Sequence, residues 1–369
     1  MLLSSAALCR HARDEIALLL ISSLLVLLVS ESLTRLYLYL SYGRAYSMNE
    51  NLTVASDHRN SILVLDRKFG WRAREKQDFK MEKLDFAGRE YPVHYRTDER
   101  GFRLYGDSKS AKNKILVLGD SFTQAVQVSN DKTYYHYLRD LDVEVFAYGV
   151  DGYGTLQQYM FLSSVLEEIK PDLILLQLCL NDFLNNSYEL ERRSYINNNY
   201  MLRPYLRGGG EVFYSLPLDW KLSGVMRRFM LHSAFLSAVL LRSGRLLSKY
   251  YADDSVEYEI ERSAYTSDFL SREIAITAEI FSMIERRMPE GVELFTFSAS
   301  AKEPYFSVFK EISFDHSFEF IDSVPLALQT AKSRGEVIYA EDGCHWNERG
   351  HEIVGSALLK YLESRGVAR

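Results

Sequence analysis

A chain of 369 residues with 47% hydrophobic content can build one large domain or two ordinary ones, which excludes a largely disordered protein. Its formal net charge is -6, and its basic residues are scattered without aromatic interleaving, which excludes a nucleic-acid footprint. The three cysteines, Cys9, Cys179 and Cys344, give neither an even disulfide framework nor metal-ligand spacing.

In chain order, the first element is an apolar run from Ile16 to Val29, interrupted only by Ser22 and Ser23 and preceded by Arg10 and Arg13. That is the layout of a secretory signal or a signal anchor. The apolar character resumes at Leu36-Tyr37-Leu38-Tyr39-Leu40, and Glu31 and Arg35 are spaced to pair on one helical face. A helix from Ile16 to about Leu40 reaches the ~20 residues a membrane span needs, with tyrosines at its outer end. No small-x-small cleavage site follows Val29, so an uncleaved anchor is preferred to a removed signal, with a cytoplasmic N-terminus and the bulk of the chain on the extracytoplasmic side.

Residues from Ser47 to Lys112 alternate polar and aromatic side chains around turn signals such as Asp98-Glu99-Arg100-Gly101, which predicts a small β-rich lead-in. From Lys114 buried strands alternate with helices, the pattern of a parallel sheet covered on both faces. Strands are predicted at Ile115 to Leu118, Val143 to Ala147, Leu173 to Leu178, Val292 to Phe297 and Phe318 to Ile321. Helices are predicted at Thr133 to Leu141, Leu156 to Ile169, Ser271 to Arg287 and Glu348 to Ser364, the last with Asn347 as N-cap.

The alternation stops between Phe183 and about Asp268, an insertion with an asparagine run (Asn197 to Asn199), a glycine run (Gly208 to Gly210) and a helical stretch from Trp220 to Tyr251. An insertion at the carboxyl edge of such a sheet shapes a pocket or lid, a structural subdomain or membrane-facing flap being the alternative. The chain thus divides into an anchor (1–45), a lead-in (46–112) and a three-layer α/β domain of flavodoxin-like type (113–369), the latter carrying a mostly helical insertion over roughly 184–268.

Two short segments carry chemistry. Gly119-Asp120-Ser121 directly follows an apolar strand, and Asp342-Gly343-Cys344-His345 precedes the last amphipathic helix. A serine on a strand-to-helix turn exposes its hydroxyl at the sheet's edge, with its own N–H at a helix N-terminus where an oxyanion can be bound. Because a serine hydroxyl is a weak nucleophile, a base must take its proton and a third group must hold that base. His345 and Asp342 fit those two needs. Asp120 is read as a hydrogen-bonding residue of the turn, Asp182 as a cap after its strand, and His351, six residues beyond His345, as packing and not as a metal ligand. Cys179 and Cys344 fall beside these segments and are read as small core residues, with a bridge between them as the alternative.

With these segments in order, the chain resembles the SGNH (GDSL-like) hydrolase and acyltransferase superfamily. Gly119-Asp120-Ser121 matches its first block and makes Ser121 the implied nucleophile. Tyr148 to Gly154 matches the glycine block, offering Gly152 as an oxyanion N–H donor, with Gly149 and Gly154 close by. The third block, Gly-x-Asn-Asp, reads Cys179-Leu180-Asn181-Asp182 here, keeping Asn181 as the implied oxyanion donor while a cysteine replaces the glycine. Asp342 to His345 matches the fourth block, implying His345 as base and Asp342 as its orienter. Thr97 to Arg103 also resembles the lead-in of anchored members. The resemblance implies an SGNH fold and attack on a carboxylic ester through an acyl-serine, with no cofactor and no metal. Both a carbohydrate and a lipid ester suit an anchored enzyme, and the acceptor is water in an esterase or a glycan hydroxyl in an O-acyltransferase. A non-catalytic module that binds a glycan or a partner in an envelope assembly is the reading from a different class.

Overall fold

The structure is a computed structural model that describes residues 2–42, 62–194, 197, 201–215, 217, 233–236, 238–239, 256–263 and 268–367. It divides into two compact units: Met1–Arg59 with Trp220–Leu246, and Asn60–Asp219 with Leu247–Arg369.

The first unit is built on helix α1 (Leu2–Tyr42). Its stretch Asp14–Tyr37 has a mean hydropathy of 2.4 and is long and apolar enough to cross a membrane. Among the described residues, its leucines and valines from Leu18 to Leu36 are exposed. Glu31 pairs with Arg35 at 2.6 Å, the predicted one-turn spacing. The same carboxylate accepts hydrogen bonds from the Ser233 hydroxyl and the Ala234 and Phe235 N–H groups. It thereby satisfies the orphan donors at the start of the helical turn over 234–236. The rest of the helical stretch expected from Trp220 to Tyr251 lies outside the described residues, apart from 238–239.

The second unit opens with two antiparallel hairpins, β1 (Leu63–Asp66) with β2 (Gly70–Ala73) and β3 (Asp78–Leu84) with β4 (Glu90–Arg96), in line with the β-rich lead-in. β5 (Lys114–Gly119), β6 (Glu144–Gly149) and β7 (Leu173–Leu178) follow. The insertion contributes β8 (Arg203–Arg207) and β9 (Glu211–Ser215), whose hairpin turn uses the Gly208 to Gly210 run, with Gly209 and Gly210 at positive φ. β10 (Glu293–Ser298) and β11 (Glu319–Phe320) complete the strands. The helices are α2 (Ser121–Gln124), α3 (Thr155–Ile169), α4 (Asp182–Asn186), α5 (Tyr188–Glu191), α6 (Val256–Ser263), α7 (Asp268–Arg287), α8 (Tyr305–Asp315), α9 (Ser323–Ser333) and α10 (Glu348–Ser364).

The central sheet runs β11-β10-β7-β5-β6, every pair parallel. All five predicted strands are in it. Its strands are buried along almost their whole length, as a sheet covered on both faces requires. One face packs on α10, where Tyr361 meets Phe295 edge-on, and the other on α3, where Phe161 stacks on Tyr148 at 3.6 Å. Asn347 caps α10 by accepting the Gly350 N–H at 3.0 Å, as its type and position predict.

The sequence pattern missed α8 and α9. The α-helix expected at Thr133 to Leu141 is instead a turn followed by a 3₁₀ helix, Tyr137–Leu141, closed by Asp142 at φ 56°. Its tyrosines explain the difference. Tyr134 and Tyr135 are both fully buried, with Tyr134 against Phe297, Trp346 and His351, and this tertiary packing overrides a weak local helix preference.

Candidate active site

From β5 the chain goes to β6 on one side and then crosses back to β7 on the other, so strand order reverses at β5. In a parallel α/β sheet, the crevice outside the strand carboxyl ends at that reversal is where ligands bind. Three loops meet this edge: β5–α2 with Ser121, β6–α3 with Gly152, and β7–α4 with Asn181.

The β5–α2 turn is tight because two glycines allow it. A Cβ on Gly119 would lie 2.2 Å from Thr123 Oγ1, and one on Gly149 would lie 2.2 Å from the Gln124 backbone nitrogen. Asp120 caps the turn, its carboxylate accepting the Phe122 N–H at 3.0 Å, which is the structural part expected of it. From β7, Gln177 Oε1 accepts both the Asp120 N–H at 3.2 Å and the Thr123 hydroxyl at 2.9 Å.

The turn's far end is held by Arg103 of the lead-in. Its guanidinium donates to the carbonyls of Gln124, Ala125 and Val128 and to Asn130 Oδ1, and it stacks 4.2 Å above the Tyr95 ring. The cation thus meets the carbonyl end of α2, where the backbone dipoles are negative.

The opposing loop is self-braced. Asp342 Oδ1 accepts the N–H groups of Cys344 and His345, both at 2.9 Å, and Oδ2 lies 2.8 Å from His345 Nδ1. His345 Nε2 is 2.8 Å from Ser121 Oγ. In the neutral ring, with the Nδ1 proton donated to the carboxylate, Nε2 accepts from the serine hydroxyl, whereas in the imidazolium it donates. Phe122 packs beside His345 and Trp346, with ring centroids 5.1 and 4.6 Å away. The lead-in supports this loop as well, Phe86 N–H donating to Tyr339 O and Glu341 N–H to Leu84 O.

Electrostatics favour the Asp342–His345 ion pair. Burial pulls the proton affinity of His345 down, but the hydrogen bonds to Asp342 and Cys344 and the Asp342 carboxylate charge more than offset it, pushing the imidazole up to about 11. Burial works to raise Asp342, yet the His345 side chain and the two backbone N–H groups hold the carboxyl well below the usual carboxylate range.

Gly152 sits at φ 72° and its carbonyl accepts from Arg203 of β8. Arg203 is fully buried, paired with Glu191 at 2.6 Å and stacked 4.7 Å from the Trp71 ring. Trp71 in turn donates to Asp151 O at 2.8 Å, and Tyr153 donates to Trp71 O at 2.6 Å. The lead-in and the insertion therefore grip the glycine loop together.

On the third loop, Asn181 Nδ2 donates to Asn185 Oδ1 at 2.7 Å, which leaves the second N–H of that amide for another acceptor. The cysteine in place of the glycine is accommodated: Cys179 is buried, its N–H donating to Asp182 Oδ2 at 2.6 Å. Asp182 caps the chain there as expected, and burial beside Asp120 pushes its carboxyl up to about 8. Cys179 and Cys344 are both free thiols. Cys344 departs from expectation, since it is exposed at the site and not a core residue, its Sγ lying 3.4 Å from His345 Nδ1. His351 is a buried core histidine, its Nδ1 accepting the Tyr134 N–H at 3.3 Å, and burial pulls it down to about 3.

A serine hydrogen-bonded to a histidine at the carboxyl edge of such a sheet is the arrangement of a nucleophile with its base. Residues 115–218 match the model of the family described as GDSL-like Lipase/Acylhydrolase. That segment holds Ser121, Gly152 and Asn181, three of the four blocks on which the chain resembles the SGNH superfamily. Among curated proteins, none matches. Similar solved structures include TesA (12% identity, TM-score 0.38, covering 68% of this chain and 99% of that one). A lipase/acylhydrolase from Enterococcus faecalis is similar at 15% identity and TM-score 0.36, over 69% and 96% of the two chains. An acetylxylan esterase, Axe2, from Geobacillus stearothermophilus is similar at 15% identity and TM-score 0.35, over 68% and 94%.

Proposed function

We propose that this chain is a membrane-anchored serine esterase that cleaves a carboxylic ester through an acyl-Ser121 intermediate. The observation that carries the reading is the chain of two 2.8 Å contacts from Ser121 Oγ through the His345 ring to Asp342. Ser121 Oγ attacks the carbonyl carbon while His345 Nε2 takes its proton. Asp342 fixes the Nδ1–H tautomer and stabilises the imidazolium that forms. The N–H groups of Ser121 and Gly152 and the second N–H of the Asn181 amide receive the oxyanion. The imidazolium then protonates the departing alcohol, and an incoming hydroxyl releases the acyl group by the reverse sequence.

That incoming hydroxyl is water in an esterase and a glycan hydroxyl in an O-acyltransferase, and the same residues serve both. The tyrosine- and asparagine-rich insertion together with the anchor suits O-acyl groups on envelope carbohydrate as substrate, and a lipid ester is equally compatible with the anchor. The charges ahead of the apolar stretch, Arg10 and Arg13, favour a catalytic unit on the extracytoplasmic side. Protease accessibility in sealed vesicles tests the sidedness.

The mechanism is tested by treating the full chain in detergent micelles with a fluorophosphonate and measuring intact mass. One adduct on Ser121, lost in Ser121→Ala and in His345→Ala, is the expected result. An unlabelled but folded parent would overturn the mechanism. Water and glycan acceptors are then separated by whether an added glycan gains acyl groups at the expense of free acid.

A further inference from the structure

Cys344 has no part in the mechanism above, yet its sulfur lies directly beside the His345–Asp342 pair. Its Sγ is 3.4 Å from His345 Nδ1 and 3.4 Å from Asp342 Oδ1, and donor atoms of all three residues lie within 4.8 Å of one another. A tetrahedral zinc ion bonds thiolate sulfur at about 2.3 Å and imidazole nitrogen or carboxylate oxygen at about 2.0–2.2 Å, which sets neighbouring donors roughly 3.3–3.6 Å apart. The two sulfur distances already have that spacing. The 2.8 Å hydrogen bond from Nδ1 to the other carboxylate oxygen, Oδ2, is given up as the ion enters. Asp342 and Cys344 are exposed, so an ion reaches them from solvent without rearrangement of the core.

We propose that Asp342, Cys344 and His345 form a zinc-binding site that reversibly switches the enzyme off, with solvent water as the fourth ligand. This rests on the esterase reading for its consequence, though not for the binding itself. Zinc takes the Nδ1 lone pair and the thiolate: the thiol proton leaves to solvent, and the Nδ1 proton is lost while Nε2 takes one up, so the neutral ring releases one proton per ion and the imidazolium, which needs no uptake at Nε2, releases two. A neutral imidazole metallated at Nδ1 carries its remaining proton on Nε2. That nitrogen then faces Ser121 as a donor and cannot accept the hydroxyl proton, while Asp342 is drawn from its orienting role to the metal. Activity would follow the free zinc concentration at the anchored enzyme's side of the membrane.

The binding is read with cobalt(II), a spectroscopic stand-in for zinc, added to the full chain in detergent after chelator treatment. A thiolate-to-cobalt charge-transfer band with tetrahedral ligand-field absorption is expected, displaced by zinc, retained in Ser121→Ala and lost in Cys344→Ala. In parallel, zinc is expected to suppress p-nitrophenyl acetate hydrolysis and EDTA to restore it. The inhibition constant, measured relative to each variant's own zinc-free rate, should rise about tenfold or more in Cys344→Ala, the loss of one ligand being worth at least ~1.4 kcal/mol. Absence of the band, or equal inhibition of the parent and Cys344→Ala, would overturn the site. A parent that hydrolyses no ester yet gives the band would sink the esterase reading and leave the zinc site standing.

Discussion

The proposed site has two halves that are built differently. On one side, Ser121, His345 and Asp342 are already joined by 2.8 Å contacts and braced by backbone N–H groups of their own loop. On the other, Gly152 is gripped from behind through its carbonyl, and Asn181 already spends one amide hydrogen on Asn185. In the proton-transfer half the base and its orienter lie three residues apart on one loop and their contacts are already formed, while the oxyanion half is positioned from behind by Trp71 of the lead-in and Arg203 of the insertion. Hydrogen bonds to an oxyanion need to be right only when charge develops, so that half can be held by its surroundings and completed by substrate.

Breaking the first half should cost the most. Ser121→Ala is expected to lower kcat by a factor of about 10⁴ or more, and Asp342→Asn by about 10⁴, because the wrong histidine tautomer is then favoured. Ester-hydrolysis kinetics check both. If Asp342→Asn loses no more than tenfold, His345 is oriented by something else.

Breaking the second half should show first as instability. Arg203→Met leaves Glu191 buried without its cation, at a cost of about 3–5 kcal/mol, whereas the double variant Arg203→Met/Glu191→Leu should recover most of that loss. Thermal unfolding of the three proteins makes the comparison. A single variant as stable as the parent would mean that the pair at 2.6 Å is not what grips the Gly152 loop. Within the same half, Asn181→Ala is expected to lower kcat by about 10²–10³ with little change in KM, the signature of a group that binds the transition state. A rise in KM at constant kcat would instead make Asn181 a substrate-binding residue.

The strongly periodic parts of the fold were legible from the chain. The parallel strands are continuous apolar runs, and α10 carries a helical stripe with its cap, so local pattern and tertiary role coincide. The proposed site residues Ser121, Gly152, Asn181 and His345 stand out in the chain for a different reason, since each sits in a short block directly after a strand or before a helix. Arg103 and Arg203 were not visible as site supports. Each acts across a long sequence gap, Arg203 reaching Gly152 and Arg103 reaching Ala125, and nothing local distinguishes a buried arginine from a surface one. The Asn181–Asn185 contact did have a signal, the i, i+4 spacing of two asparagines at the start of α4. The sulfur beside His345 had none, because whether Cys344 faces the core or the crevice is set by the turn that Asp342 makes with its neighbours' N–H groups.

The smallest expected effect concerns that sulfur and sharpens the account of the first half. Catalysis needs His345 neutral, and its proton affinity is raised above the ordinary histidine value by Asp342 and Cys344 against the opposing pull of burial. The sign follows directly: the neutral fraction grows as pH rises through the raised pKa, so kcat/KM should climb with pH to a midpoint above that of an ordinary histidine. With chelator present to exclude metal, Cys344→Ala removes one of the raising groups and should move the midpoint down by a fraction of a pH unit. Asp342→Asn removes the stronger partner and should move it further, on a much lower rate. An acid limb that stays in place in Cys344→Ala would mean the thiol does not touch the base's proton equilibrium. An upward move would mean that burial, and not the neighbouring sulfur, dominates at Nδ1.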